Sequence, residues 1–82
     1  MAAGLAVARA TVSHGRTQPW ETVSVLVRNN VLRVTSRSGQ SYVDDPTVSL
    51  VEHVDRRTWR VTTDAGVFTV VRQGGCGCGG GR

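Results

Sequence analysis

The sequence predicts a small all-β domain, an antiparallel sandwich or partly open barrel of six to seven short strands. Three observations predict it. Val dominates an apolar set that holds four Leu, one Phe, two Trp and no Ile. Such β-branched residues, with the abundant Thr, are stiff at the first side-chain torsion and suit a pleated sheet. Two segments carry strict alternation on both sides of a turn, and no segment carries a helical period. The chain has 82 residues, enough for one domain. Chains this short bury only about 60% of their unfolded surface and gain much from partners, metals or cross-links.

Leu5 to His14 is apolar and small, with Val7 and Val12 among alanines. It reads as a first strand or an N-terminal arm. Gly4 and the Thr11-Val12 pair weaken the helical alternative. Gly15 to Glu21 reads as a turn, since Pro19 cannot donate to a ladder. Domain organisation follows: residues 1–14 an arm or first strand, 15–73 the β domain, 74–82 a Gly/Cys-rich tail.

Thr22 to Arg28 alternates, with Val23, Val25 and Val27 on one face. Asn29-Asn30 supplies two residues tolerant of positive φ, a two-residue hairpin signal. That loop pairs Val27 with Leu32 and Val25 with Val34 on an aliphatic face. It pairs Arg28 with Val31 and Leu26 with Arg33 on the other, so pattern and turn agree. Arg37 to Gln40 turns around Gly39, Ser41 to Val43 reads as a short strand, and Asp44-Asp45-Pro46 turns again. Thr47 to Val54 has apolar residues on both faces, as in a central strand. Asp55 to Arg57 reverses the chain.

Thr58 to Thr62 and Val67 to Arg72 form a second hairpin. A four-residue loop, Thr63 to Gly66, pairs Trp59 with Val70 and Val61 with Phe68 on one face, and Arg60 with Thr69 on the other. Gly66 is free to take positive φ there.

All ten basic residues are Arg and the net charge is +4. Codon usage of a GC-rich genome explains the missing Lys better than a phosphate- or carboxylate-binding role does. Acidic residues interleave with the Arg, and the longest basic run is Arg56-Arg57, whereas a dedicated DNA binder carries a denser stripe. Arg28, Arg33, Arg37, Arg57 and Arg60 are expected on outward, solvated faces. No apolar run approaches the ~20 residues of a membrane span. Met1 to Ala10 has Ala-x-Ala spacing but neither a basic n-region nor an apolar h-region. It reads as mature protein in a cytosolic setting.

The catalytic signatures are missing. There is no nucleophile elbow, no H-E-x-x-H and no Gly-Lys phosphate loop, so no catalytic residue is expected and the chain reads as a non-enzyme. The tail contains a formal G-x-G-x-x-G from Gly75 to Gly80, without the preceding strand and following helix that dinucleotide binding needs. Cys76 and Cys78 form C-x-C. Thiolates favour soft metals, and zinc sites take four ligands. The chain offers only His14 and His53 besides; a complete zinc site within one chain has no support in the spacing, and a site shared between subunits is the sharper expectation. The alternative is a flexible Gly-rich tail with free thiols. His53 is expected to pack near Trp59 on a sheet face, and His14 to be solvated. Trp20, beside Pro19, is read either as a contact residue, Trp being enriched at hot spots, or as the cover of an open barrel end. With Gly75, Cys76, Cys78 and Arg82 it makes the expected partner-binding set.

The Lys-free, Val/Thr/Arg-rich composition, the hairpin Thr58-Trp59-Arg60-Val61-Thr62 to Val67-Phe68-Thr69-Val70, and the Gly-Cys-Gly-Cys-Gly-Gly terminus resemble the small β-rich structural proteins of actinobacterial tailed phages. The resemblance implies a virion protein of the capsid and head–tail connector region, made in the host cytoplasm. A connector, stopper-like or decoration subunit would contact copies of itself and other virion proteins in a ring or lattice. Both termini, Met1 to Ala10 and Gly74 to Arg82, would reach onto neighbours. DNA contact is permitted by that role and not required, and no membrane is implied. Two other classes remain beside it: a small nucleic-acid-binding barrel, and a metal-binding or redox protein using Cys76 and Cys78.

Overall fold

A computed structural model describes residues 4–73. They form six antiparallel strands: β1 (Leu5–His14), β2 (Trp20–Arg28), β3 (Val31–Thr35), β4 (Val48–His53), β5 (Thr58–Thr63) and β6 (Gly66–Arg72). The strands make one sheet in the order β3-β2-β1-β6-β5-β4. The sheet curls until its two outer strands meet. Val31 bridges Thr47, the Leu32 amide donates to the Pro46 carbonyl, and the Val48 amide donates to the Asn30 carbonyl at 2.7 Å. The result is a partly open barrel with its seam pinned at one point.

The two hairpins have the expected registers. Across Asn29-Asn30, Val27 pairs with Leu32, Val25 with Val34, Arg28 with Val31 and Leu26 with Arg33. Both Asn residues are left-handed, at φ 55° and 61°. In the second hairpin Trp59 pairs with Val70, Val61 with Phe68 and Arg60 with Thr69. The ladder there runs one pair further than expected. Thr63 pairs with Gly66, so only Asp64 and Ala65 stay outside it. The Thr63 hydroxyl holds this turn, donating to the Gly66 carbonyl at 2.9 Å and accepting from the Ala65 amide at 3.0 Å. It is buried and fully satisfied.

Inward side chains converge on one core: Val7, Ala10, Val12, Val23, Val25, Val27, Leu32, Val34, Val48, Val61, Phe68 and Val70. Three bulges keep this face continuous where simple alternation fails. Val7 pairs with Val25 and Ala10 with Val23, leaving two residues of β1 opposite one of β2. Ala10 pairs with Val23 and Val12 with Trp20, leaving Glu21 and Thr22 opposite Thr11. The second bulge places Thr22 at φ 56°, unusual for a β-branched residue. Its hydroxyl accepts from the Gln73 amide nitrogen at 3.3 Å. The third bulge lies between Val48 and Leu50. Bulges deepen local twist, and twist is what lets six strands curl shut.

Several expectations change. Leu5–His14 is a strand at the centre of the sheet, paired with both β2 and β6, so residues 5–10 are not a free arm. Trp20 and Glu21 belong to β2, and the turn spans 15–19. Ser41–Val43 is no strand; a single bridge, Thr35 to Ser41, is all it makes. Residues 40–46 instead cover the outer edge of β3, where Tyr42 donates to the Val34 carbonyl and Ser36 to that of Gln40, each at 2.8 Å. β4 is an edge strand, not a central one. Its bulge sends Val48 and Val51 inward and leaves Leu50 outside.

The Asp55 to Arg57 reversal is held by its own carboxylate. The Asp55 carboxylate accepts from the Arg57 amide at 2.9 Å, and that bond, followed by one from Thr58, holds its pKa below the ordinary 3.8. The folded value lies under the unfolded one. The turn's stabilisation is therefore complete above the unfolded pKa and fades as pH falls through the folded one. A carboxyl titration followed by NMR should show an Asp55 midpoint under 3.8; a midpoint at or above it would mean the turn bonds do not form in solution.

Candidate functional site

Trp20, Tyr42, Phe68 and His14 gather at the barrel end where the β5–β6 turn meets the chain entering β4. Trp20 is the first residue of β2, and its ring stacks on Tyr42 with centroids 5.1 Å apart and planes 16° apart. Phe68 lies beneath, 6.2 Å from Trp20 and tilted to it. His14, at the end of β1, stacks on Phe68 at 4.1 Å. It donates from Nε2 to the Ala65 carbonyl at 2.9 Å, and a carbonyl can only accept, so Nε2 is the protonated nitrogen. His14 is half-buried here rather than solvated.

These rings form one wall of a cleft of about 360 Å³. Its other wall is acidic: Asp44, Asp45 and Asp64 line it, beside a buried Pro46. Local structure gives two of these carboxylates a partner. Asp64 sits in the β5–β6 turn and accepts from the Thr47 amide at 3.1 Å. Asp45 is left-handed, at φ 51°, and faces Arg33 at 3.6 Å. Both of those side chains are more than half exposed, so that pair contributes well under about 1 kcal/mol. Asp44 makes no ion pair among the described residues. Three of the chain's six acidic residues thus line one cleft, and one of them, Asp45, already faces Arg33.

Aromatic faces are negative at their centres, and carboxylates add full charge. Such a cleft suits a cation, which gains about 0.5–2 kcal/mol from an aromatic face according to how far it is desolvated. An anionic nucleic-acid backbone gains no attraction from those carboxylates.

No family model, curated protein or solved structure matches this chain.

Of the expected contact residues, Trp20 lines this cleft, half-buried against the core. Gly75, Cys76, Cys78 and Arg82 lie outside the described residues, as does the whole tail. Among the described residues no group of three or more His, Cys, Asp or Glu is gathered as metal ligands. His14 and His53 are separated, one at the closed end of the β5–β6 hairpin and the other at its open end. His53 pairs with Trp59 across β4 and β5 and stacks on it at 5.1 Å, as expected. The Arg72 guanidinium sits 5.9 Å from the centre of the same Trp59 ring. Arg28, Arg33, Arg37, Arg57 and Arg60 are all exposed. Tyr42 and the carboxylates of Asp44 and Asp64 had no individual sequence signal. Asp44-Asp45-Pro46 reads as a turn; the structure makes it an irregular segment with a left-handed Asp45, and only the seam closure carries it beside Trp20.

Proposed function

We propose that this chain is a non-enzymatic structural subunit, acting through contacts with copies of itself and with other proteins of a phage virion. The observation that carries the subunit reading is the difference between the two outer strands. The edge of β3 is covered by residues 40–46. Beyond Val48, the edge of β4 has no backbone partner among the described residues, and Leu50 and Val54 stand beside it about half exposed, at 48% and 51%. An open edge is a template for strand addition, and adjacent apolar side chains give an added strand something to bury. Placement in a virion, as a connector, stopper-like or capsid-associated protein, rests on the resemblance in composition and in the Thr58–Val70 hairpin.

The nucleic-acid alternative draws on a different place, the open end of the β5–β6 hairpin. There Trp59, His53 and Arg72 stack, and a base could join them. That group holds one of the chain's two Trp, while the other stands in the acidic cleft.

Light scattering on the purified protein over a range of concentrations, with metal determined on the same sample, tests these readings. A discrete assembly, alone or with a second virion protein, is the expected result. Stoichiometric zinc that is lost in Cys76→Ser and Cys78→Ser would place the tail at a shared site. A metal-free monomer that joins no virion protein would sink the subunit reading. Retention of that monomer on single-stranded DNA would then favour the nucleic-acid one.

A further inference from the structure

We infer that the aromatic–acidic cleft receives an arginine from a second copy of this chain, presented by the turn between β4 and β5. The inference rests on the subunit reading and specifies one of its contacts. The cleft asks for a cation, and the only cationic side chain this sequence makes besides its two His is Arg. A guanidinium is flat, so it stacks on the Trp20–Tyr42 face while its edge donates to carboxylates. The β4–β5 turn offers the chain's only pair of adjacent Arg, Arg56 and Arg57. Both are exposed. The one acid beside them, Asp55, is already used by the turn's own hydrogen bonds. Arg56 makes no ion pair among the described residues.

Position completes the case. β4 and β5 leave the cleft at Thr47 and Asp64, which are hydrogen-bonded to each other, and they end at the Asp55 to Arg57 turn. Donor and acceptor therefore lie at opposite ends of one hairpin, roughly 20 Å apart at about 3.3 Å per residue. No copy can fill its own cleft from its own turn. The contact is head-to-tail, and such a contact builds a ring where the rotation closes and a filament where it does not.

A charge exchange between copies tests this. Asp44→Arg puts a guanidinium in the cleft where the incoming arginine would meet a carboxylate, and Arg56→Asp gives the turn a carboxylate that can pair with it. Both sites are exposed, and circular dichroism of each variant confirms its fold. Each variant alone should need at least about tenfold more protein to assemble than the wild type, as loss of a complementary charge predicts. An equimolar mixture of the two should assemble again, because the altered cleft of one meets the altered turn of the other. Free arginine should compete with wild-type assembly, and glycine at equal ionic strength should not. Wild-type protein that assembles while both single variants assemble equally well would overturn the arginine contact and leave the subunit reading standing. Single variants that fail, with no recovery on mixing, would likewise overturn it. Wild-type protein that remains a monomer throughout would overturn the arginine contact, and the subunit reading would fall with it only if that monomer also joined no virion protein.

Discussion

Phe68→Ala is expected to unfold the protein at ordinary temperatures, or to lower its melting temperature by about 15–30 °C. Phe68 is 1% exposed and is the largest side chain fully inside the barrel. Truncating a buried Phe removes about 3–5 kcal/mol through lost transfer energy and an unfilled cavity. Collapse around the hole is restricted here. The rings of His14 and Trp20 rest on this one, and the neighbouring Val12 and Val61 belong to strands held in register on either side. Small domains have only about 5–15 kcal/mol in total, and about 1 kcal/mol shifts the midpoint by about 4–8 °C at this size. Val67→Ala, one residue earlier, is the control. Val67 is 45% exposed, and its truncation should stay within about 1 kcal/mol. Thermal melts of both variants at one low concentration keep assembly from contributing. If Phe68→Ala melted within about 5 °C of the wild type, the core would not be where the barrel places it.

The same ring shows how far the sequence could be read. Phe68 was legible as an inward residue because the Thr58–Arg72 hairpin combines period-two alternation with a glycine at its turn, and only one register satisfies both. The Asn29-Asn30 hairpin was legible for the same reason. What escaped was every place where a bulge breaks the period. Val48 and Val51 are three apart and both point inward, as do Val7 and Ala10. Read without bulges, Val48 to Val54 looks apolar on both faces and therefore central, whereas it is an edge whose outward Leu50 stays exposed. The cleft was half legible. Trp20 beside Pro19 marked a contact residue or a lid. Its acidic wall depends on the seam, where Pro46 and Thr47 reach Leu32 and Val31 from the far side of the sheet. That closure is a long-range consequence of accumulated twist, and no local pattern encodes it. The covered edge of β3 has the same origin, since residues 40–46 lie there because the chain must cross the barrel mouth to begin β4.

Gly66→Ala is the second large effect, expected to cost about 2–4 kcal/mol through two separable causes. Gly66 opens β6 at φ 116°, a backbone that side chains with a Cβ rarely adopt, and holding one there costs about 1–3 kcal/mol. A Cβ at this position would also lie 3.0 Å from Nε2 of His14. That nitrogen cannot yield freely, because it donates to the Ala65 carbonyl at 2.9 Å while its ring stacks on Phe68. Moving it gives up a hydrogen bond whose net worth is about 1 kcal/mol. His14→Ala removes the obstacle and leaves the backbone strain. In that background Gly66→Ala should therefore cost about 1 kcal/mol less than in the wild type, a coupling that a double-mutant cycle by urea denaturation can resolve. Equal costs in both backgrounds would mean that His14 does not press on the turn, and no cost in either would mean that residue 66 is not left-handed. The coupling also bears on the cleft. Asp64 is two residues before Gly66 and takes its place on the acidic wall from this turn, so a displaced turn should weaken assembly as well as folding. The His14→Ala background, where the turn has room to relax, should restore part of that loss.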